Sequence, residues 1–299
     1  MSQHPKYSDN VSLFFPQHHP EIVRSMVYSL LILMAGLLTF CNVTEAAPTF
    51  NRPYLTWQGD PCQSMTINYQ TATVPTAVKA WYDTKSHQGI RAQYAFSAAG
   101  AGHQIPGLAD ARSINSIALT GLKPGTRYYF TFGDDAAKES SEFFFETPPN
   151  NGRPIRFVIG GDMGATPLAE ALVRQAGKQN PMFGVVGGDI AYENGALEEV
   201  ADCDAWLGQW MDGMVAPDGR LIPMVLAMGN HEVNKKEGPE EVRAPFFYGF
   251  YPQGGKSFFS RTFGPNLALL MLDSGHITSH ESQVDWLRQQ LNDFSKIKN

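Results

Sequence analysis

Ile155-Arg156-Phe157-Val158-Ile159 runs directly into Gly160-Gly161-Asp162-Met163-Gly164. Residues rich in β-branched and aromatic side chains read as a strand, and the glycines after them end it. The pattern recurs twice. Phe183-Gly184-Val185-Val186 leads into Gly187-Gly188-Asp189-Ile190-Ala191-Tyr192, and Ile222-Pro223-Met224-Val225-Leu226-Ala227 leads to Gly229-Asn230-His231-Glu232. Helical stretches are expected between them, from Pro167 to Gln179 and from about Leu197 to Met214. Strand, helix, strand, helix, strand predicts an α/β layer. In such sheets ligands gather beyond the carboxyl ends of the strands, where all three polar clusters fall.

The residue types there suit metal chemistry. Asp162 and Asp189 are hard anionic donors for hard cations, and one of them could bridge two ions. Asn230 adds a neutral oxygen. Tyr192, three residues past Asp189, can face the same site, and a trivalent ion would favour its phenolate. His231, beside Asn230, is placed to contact a phosphate oxygen or to protonate a leaving group. A single Gly-Asp at a strand end is usually a turn; three such clusters in this order are specific.

The segment ahead of this layer reads differently. Met65-Thr66-Ile67-Asn68-Tyr69 alternates apolar and polar, and Val78-Lys79-Ala80-Trp81-Tyr82 does so more loosely, as half-buried strands do. Gly59-Asp60-Pro61 and Lys123-Pro124-Gly125 punctuate them. Short strands at this spacing suggest a β-sandwich over residues 48–148, with 150–154 as a linker and an α/β domain over 153–299. Leu122-Lys123-Pro124-Gly125-Thr126-Arg127-Tyr128 resembles the corner of fibronectin type III modules, where the Tyr hydroxyl ties back to the backbone. His87 and His103 read as solvated loop histidines without ligand partners.

Composition sets the outer limits. The chain has 299 residues, 43% hydrophobic, enough for a packed core and against disorder. Its 23 basic against 29 acidic residues, net -6, argue against nucleic-acid binding. Met26-Val27-Tyr28-Ser29-Leu30-Leu31-Ile32-Leu33-Met34-Ala35-Gly36-Leu37-Leu38-Thr39-Phe40 is apolar, uncharged and shorter than a spanning helix needs. With Arg24 before it and Thr44-Glu45-Ala46 after it, residues 1–46 read as a secretory leader, hence a secreted or periplasmic protein. An uncleaved membrane anchor is the alternative. Of the 3 Cys, Cys41 lies in this leader; Cys62 and Cys203 could pair in an oxidising compartment, but they fall in different predicted domains and are expected as isolated buried thiols.

The three clusters resemble the calcineurin-like metallophosphoesterases, and among them the purple acid phosphatases. That family's series is G-D-x-G, G-D-x-x-Y, G-N-H-[D/E], V-x-x-H and G-H-x-H. Asp162, Asp189 with Tyr192, and Asn230 with His231 match the first three. The resemblance implies a fibronectin-like module followed by an α/β metallophosphoesterase domain, a β-sandwich flanked by helices. It implies a centre of Fe(III) plus a divalent Fe, Zn or Mn. Asp162 and Tyr192 would bind the ferric ion, Asp189 would bridge and Asn230 would bind the divalent ion. His231 would contact a phosphate ester attacked by a metal-bound hydroxide.

The V-x-x-H and G-H-x-H motifs have no counterpart, so three histidine ligands of the family series are missing; His276 and His280 are the only histidines after His231. The expectation is an α/β domain incomplete at its C-terminus, with sheet edges unpaired and core exposed. Thr278 and Glu281 suggest a capping box for a last helix, Glu281 to about Lys296, with Val284, Leu287, Leu291 and Phe294 as its apolar face. Three functions follow: part of a secreted acid phosphatase, a catalytically inactive binding module, or a phosphodiesterase or nucleotidase on the same metal site.

Overall fold

The computed structural model describes residues 51–133, 141–234 and 236–295. The leader expected over residues 1–46, Cys41 included, lies outside them. Residues Ala46–Asn299 form one compact unit.

The first block holds two four-stranded antiparallel sheets. One contains β1 (Tyr54–Thr56), β2 (Met65–Thr71), β5 (Ala101–His103) and β6 (Ser113–Leu119), in the order β1-β2-β6-β5. The other contains β3 (Lys79–Asp83), β4 (Phe96–Ala99), β7 (Arg127–Gly133) and β8 (Phe143–Glu146), in the order β4-β3-β7-β8. Met65, Ile67, Tyr69, Ile117 and Leu119 from the first sheet share a core with Ala80, Tyr128, Phe130, Phe132 and Phe145 from the second. These are alternate residues, as the two-residue period requires. At the corner after β6 the Lys123 N–H donates to the Tyr128 hydroxyl at 2.9 Å, the tie expected from the Leu122–Tyr128 stretch.

One reading needs correcting here. The alternation in β2 predicts a strand with one wet face, yet Thr66, Asn68 and Gln70 are also buried. The second block covers that face. The Tyr54 hydroxyl donates to the Phe250 carbonyl, and Thr56 donates to that of Pro252. The polar residues of β2 are therefore matched to polar partners: Asn68 Nδ2 donates to Thr56 Oγ1 at 3.0 Å, and Gln70 accepts from Arg112. The histidines also differ from expectation. Half-buried His87 pairs with Asp83 at 3.0 Å and packs edge-on against Tyr94, and His103 Nε2 donates to the Gly249 carbonyl. His87 anchors its loop, and His103, exposed at the end of β5, is tied to the second block by that bond.

The second block begins with β9 (Phe157–Gly160), α1 (Pro167–Lys178), β10 (Phe183–Val186), α2 (Val200–Gly213) and β11 (Met224–Leu226). The three strands are parallel in the order β11-β10-β9. Thr166 caps α1 through the Ala169 N–H, and Pro167 takes the first helical position, where a missing N–H costs nothing. Phe183 and Val185 face the sandwich core and the antiparallel pair β12 (Phe259–Phe263) and β13 (Leu267–Met271). Val186 faces the other way, into the cluster built on Trp206, Trp210 and Met214. The result is helices, parallel sheet and hairpin in three layers. Cys62 and Cys203 are buried and unpaired, as expected.

Among the described residues β9 pairs with β10 alone. Ile159, Leu168 and Leu172 beside it are 71%, 71% and 61% exposed. They line a cavity of about 980 Å³ that reaches in to Val173, Trp210 and Met214. The open edge and exposed core match the expectation from sequence.

The last helix, α3 (His280–Ser295), departs from it in two details. Its cap is Ser279, one residue later than Thr278, with the Ser282 N–H on Ser279 Oγ. Thr278 Oγ1 pairs with Ser257 instead. The stripe from Val284 to Leu291 is not the buried face: both of these residues are exposed, whereas Gln283 is buried. Gln283 reaches both the N–H and the carbonyl of Asp273, and Trp286 packs against Phe258, so these contacts set the rotation of the helix.

Candidate metal centre

Three loops leave the carboxyl ends of β9, β10 and β11 and meet. The first two are zipped by backbone bonds. Asp162, Met163 and Gly164 donate to the carbonyls of Gly188, Asp189 and Ile190 at 3.1, 2.9 and 2.9 Å. The third packs so closely that side chains are excluded. A Cβ on Gly188 would lie 2.7 Å from the Gly229 nitrogen, and one on Gly229 would lie 2.2 Å from Asp189 Oδ1. Glycine at both positions is therefore a steric requirement of the site.

Asp162, Asp189, Tyr192 and Asn194 take left-handed backbone conformations, with φ of 52°, 51°, 67° and 55°. Left-handed φ is strained for tyrosine above all, and strain of this kind gathers at functional sites. It turns the side chains toward one another. The Tyr192 hydroxyl donates to Asp162 Oδ1 at 3.4 Å, and Asp189 Oδ1 accepts the His231 N–H at 3.1 Å. The His231 ring lies 4.4 Å from that of Tyr192, and its Nδ1 is 2.6 Å from Asn194 Oδ1. Asn230 opens a short 3-10 turn, Asn230–Glu232, and is exposed. Desolvation, and then the charges of Asp162 and Asp189, push the Tyr192 phenol above its ordinary range.

Glu232, the fourth residue of the third cluster, was not singled out from the sequence. It is buried, and its carboxylate accepts the N–H groups of Gly229 at 2.6 Å, Ile190 at 2.6 Å and Asp189 at 3.0 Å. It ties the second loop to the third. Burial pushes its carboxyl up, against the pull of those three donors. Glu193 is buried behind Tyr192 and is pushed up to about 8, first by burial and then by the charge of Glu232. Asn194 was also missed. A polar residue after a single glutamate carries no signal until the turn geometry is known.

Among the described residues no three of His, Cys, Asp and Glu converge as an ion site. The donors that do assemble are two carboxylates and a phenol, with an amide beside them on the third loop. That all-oxygen set fits a hard cation, and a cation would relieve the concentration of negative charge that now raises Tyr192. His276 and His280 belong elsewhere, to the loop around Asp273. His276 donates its N–H to that carboxylate, and a Cβ on Gly275 would touch the His280 ring. The cavity beside β9 opens at Asp162 and Tyr192.

Comparison with known proteins agrees with the motifs. Residues 50–147 match the family model of the purple acid phosphatase N-terminal domain. The probable purple acid phosphatase 20 of Arabidopsis thaliana is 29% identical over 122 residues, 41% of this chain and 26% of that protein. Purple acid phosphatase 15 of the same plant is 24% identical over 207 residues, 60% of this chain and 38% of that protein. Among solved structures, the purple acid phosphatase PPD1 from yellow lupin seeds aligns with a TM-score of 0.60 at 17% identity, over 80% of this chain and 48% of that one. The structure of PhoD aligns at 0.52 with 14% identity, over 76% and 53%. These last two speak for fold alone. The resemblance to purple acid phosphatases thus holds in motif, family model and fold, while the chain spans well under half the length of the curated relatives it matches.

Proposed function

We propose that this chain carries the metal-gathering part of a secreted, metal-dependent phosphoester hydrolase of acid phosphatase type. The observation that supports it best is the meeting of Asp162, Asp189 and Tyr192 at the ends of adjacent parallel strands, with the His231 ring packed at a tilt against the tyrosine. On this reading residues 48–148 are a fibronectin type III-like module and residues 153–299 belong to the metallophosphoesterase domain. Among the described residues no helix is long and apolar enough to cross a membrane.

Asp162 and Tyr192 would hold Fe(III), Asp189 would bridge to a divalent Fe, Zn or Mn, and Asn230 would bind that second ion. When bound, such a pair supplies Lewis acidity toward a phosphoryl oxygen and lowers the pKa of water into the neutral range. The rest falls to the chain. The Glu232 brace fixes the Asp189 backbone, so the carboxylate need not reorganise. The Tyr192 turn holds the phenol beside Asp162. His231 is placed to contact the phosphate of the ester.

Ferric titration of the purified chain tests this. A visible tyrosinate-to-iron absorption band is expected, and Tyr192→Phe is expected to abolish it while leaving the melting temperature unchanged. A band that survives in Tyr192→Phe, or no ferric binding at all, overturns the assignment. Asp189→Asn removes a carboxylate from the shared position and is expected to weaken metal affinity more than about tenfold, the lower end for loss of even an outer partner. Calorimetry of the two proteins checks that, and equal affinities would remove Asp189 from the site.

A further inference from the structure

We propose that Asn194 is a positioning residue that fixes neutral His231 as its Nδ1–H tautomer, leaving Nε2 as the atom able to meet a ligand. The argument is one of donors and acceptors. His231 Nδ1 lies 2.6 Å from Asn194 Oδ1. The same amide donates its Nδ2–H to the Tyr192 carbonyl at 3.0 Å, which sets its orientation: nitrogen toward the backbone, oxygen toward the imidazole. An amide oxygen only accepts, so Nδ1 must carry the proton. The ring is restrained on a second side by the Tyr192 face at 4.4 Å, and the His231 backbone by Asp189. Asparagine suits the position twice, because its φ of 55° lies in the left-handed region that Asn tolerates better than most residues.

The consequence for chemistry rests on the phosphoester reading. With Nδ1 committed to Asn194, Nε2 is the nitrogen that faces the phosphate: an acceptor for a P–OH from the neutral ring, a donor to a P–O⁻ from the protonated one. The residue two places past the metal-site tyrosine would in this way decide which ring nitrogen of His231 meets the phosphate.

The test uses the metal-free ¹⁵N-labelled chain at alkaline pH, where imidazole is neutral, with His231 assigned by its loss in His231→Gln. Long-range ¹H–¹⁵N correlations are expected to show Nδ1 protonated. Asn194→Gly keeps the left-handed turn and removes the acceptor; it should move the tautomer ratio toward Nε2–H by about fivefold or more, the worth of one ordinary hydrogen bond. Asn194→Asp restores an acceptor and should restore the Nδ1–H form. An unchanged melting temperature in Asn194→Gly shows that the fold is intact. An Nε2–H tautomer in the parent chain, or an Asn194→Gly spectrum identical to it, overturns the proposal. Neither result involves metal or turnover, so this proposal and the phosphatase reading can fail separately.

Discussion

Glu232→Ala is expected to lower the stability of the fold by about 3 kcal/mol or more and to weaken metal binding at loops that Glu232 never touches with a metal ligand of its own. The carboxylate satisfies three backbone N–H groups, those of Gly229, Asp189 and Ile190. Each buried donor left unpaired costs about 1–3 kcal/mol. Water cannot enter cheaply, because the residue is only 1% exposed. Glu232→Gln is the informative partner. Its amide oxygen can serve one or two of the three donors, while its NH2 group faces another donor, so a loss between those of the parent and of the alanine variant is expected. Urea unfolding with each variant, followed by metal titration, measures both effects. An alanine variant within about 1 kcal/mol of the parent would mean that the N–H groups find other partners and that Glu232 is not the brace.

The same residue shows where sequence reading stops. The three strand-end clusters were legible because glycine and aspartate after an apolar run have few local explanations, and their spacing between helices fixed the parallel sheet. Asp162, Asp189 and Tyr192 stood out as candidates for that reason. Glu232 reads as an ordinary acidic residue following a histidine. Its importance appears only when β10 and β11 lie side by side and present three amides to one point. Asn194 is hidden by the same logic.

The fold errors share a cause. Alternation in β2 was read correctly for Met65, Ile67 and Tyr69, but Thr66, Asn68 and Gln70 are buried too, on the sheet that Tyr54 and Thr56 tie to a second block more than a hundred residues away. In α3 the apolar spacing of Val284 and Leu291 was real, yet the helix turns on Gln283 because its amide meets the loop backbone at Asp273. Periodicity reports which face is apolar. It does not report whether anything stands opposite.

Arg112→Met is expected to cost about 3–5 kcal/mol, the other large effect, and to loosen the joint between the sandwich and the α/β layer. Arg112 is 3% exposed and its Nη1 reaches both carboxylate oxygens of Asp204 on α2, at 2.7 and 2.8 Å. Gln70 of β2 accepts from the same nitrogen, and Asp110 accepts from Nε at 2.7 Å. Removing the guanidinium strands the Asp204 carboxylate, which burial already pushes up in pKa against the pull of Arg112. Asp110 sits closer to solvent and loses little. The loss should therefore follow Asp204, and the second substitution shows it. Arg112→Met combined with Asp204→Leu removes both charges from the interior and should recover most of the stability, since buried pairs exchanged for apolar residues of similar volume are often neutral. At roughly 2–4 °C per kcal/mol for a unit of this size, the single variant should melt about 10 °C lower and the double variant within a few degrees of the parent. If the double variant melts as low as the single, the pair holds the two blocks by geometry that apolar packing cannot supply. The joint would then be specified by the Arg112 fork itself rather than by the need to keep Asp204 paired.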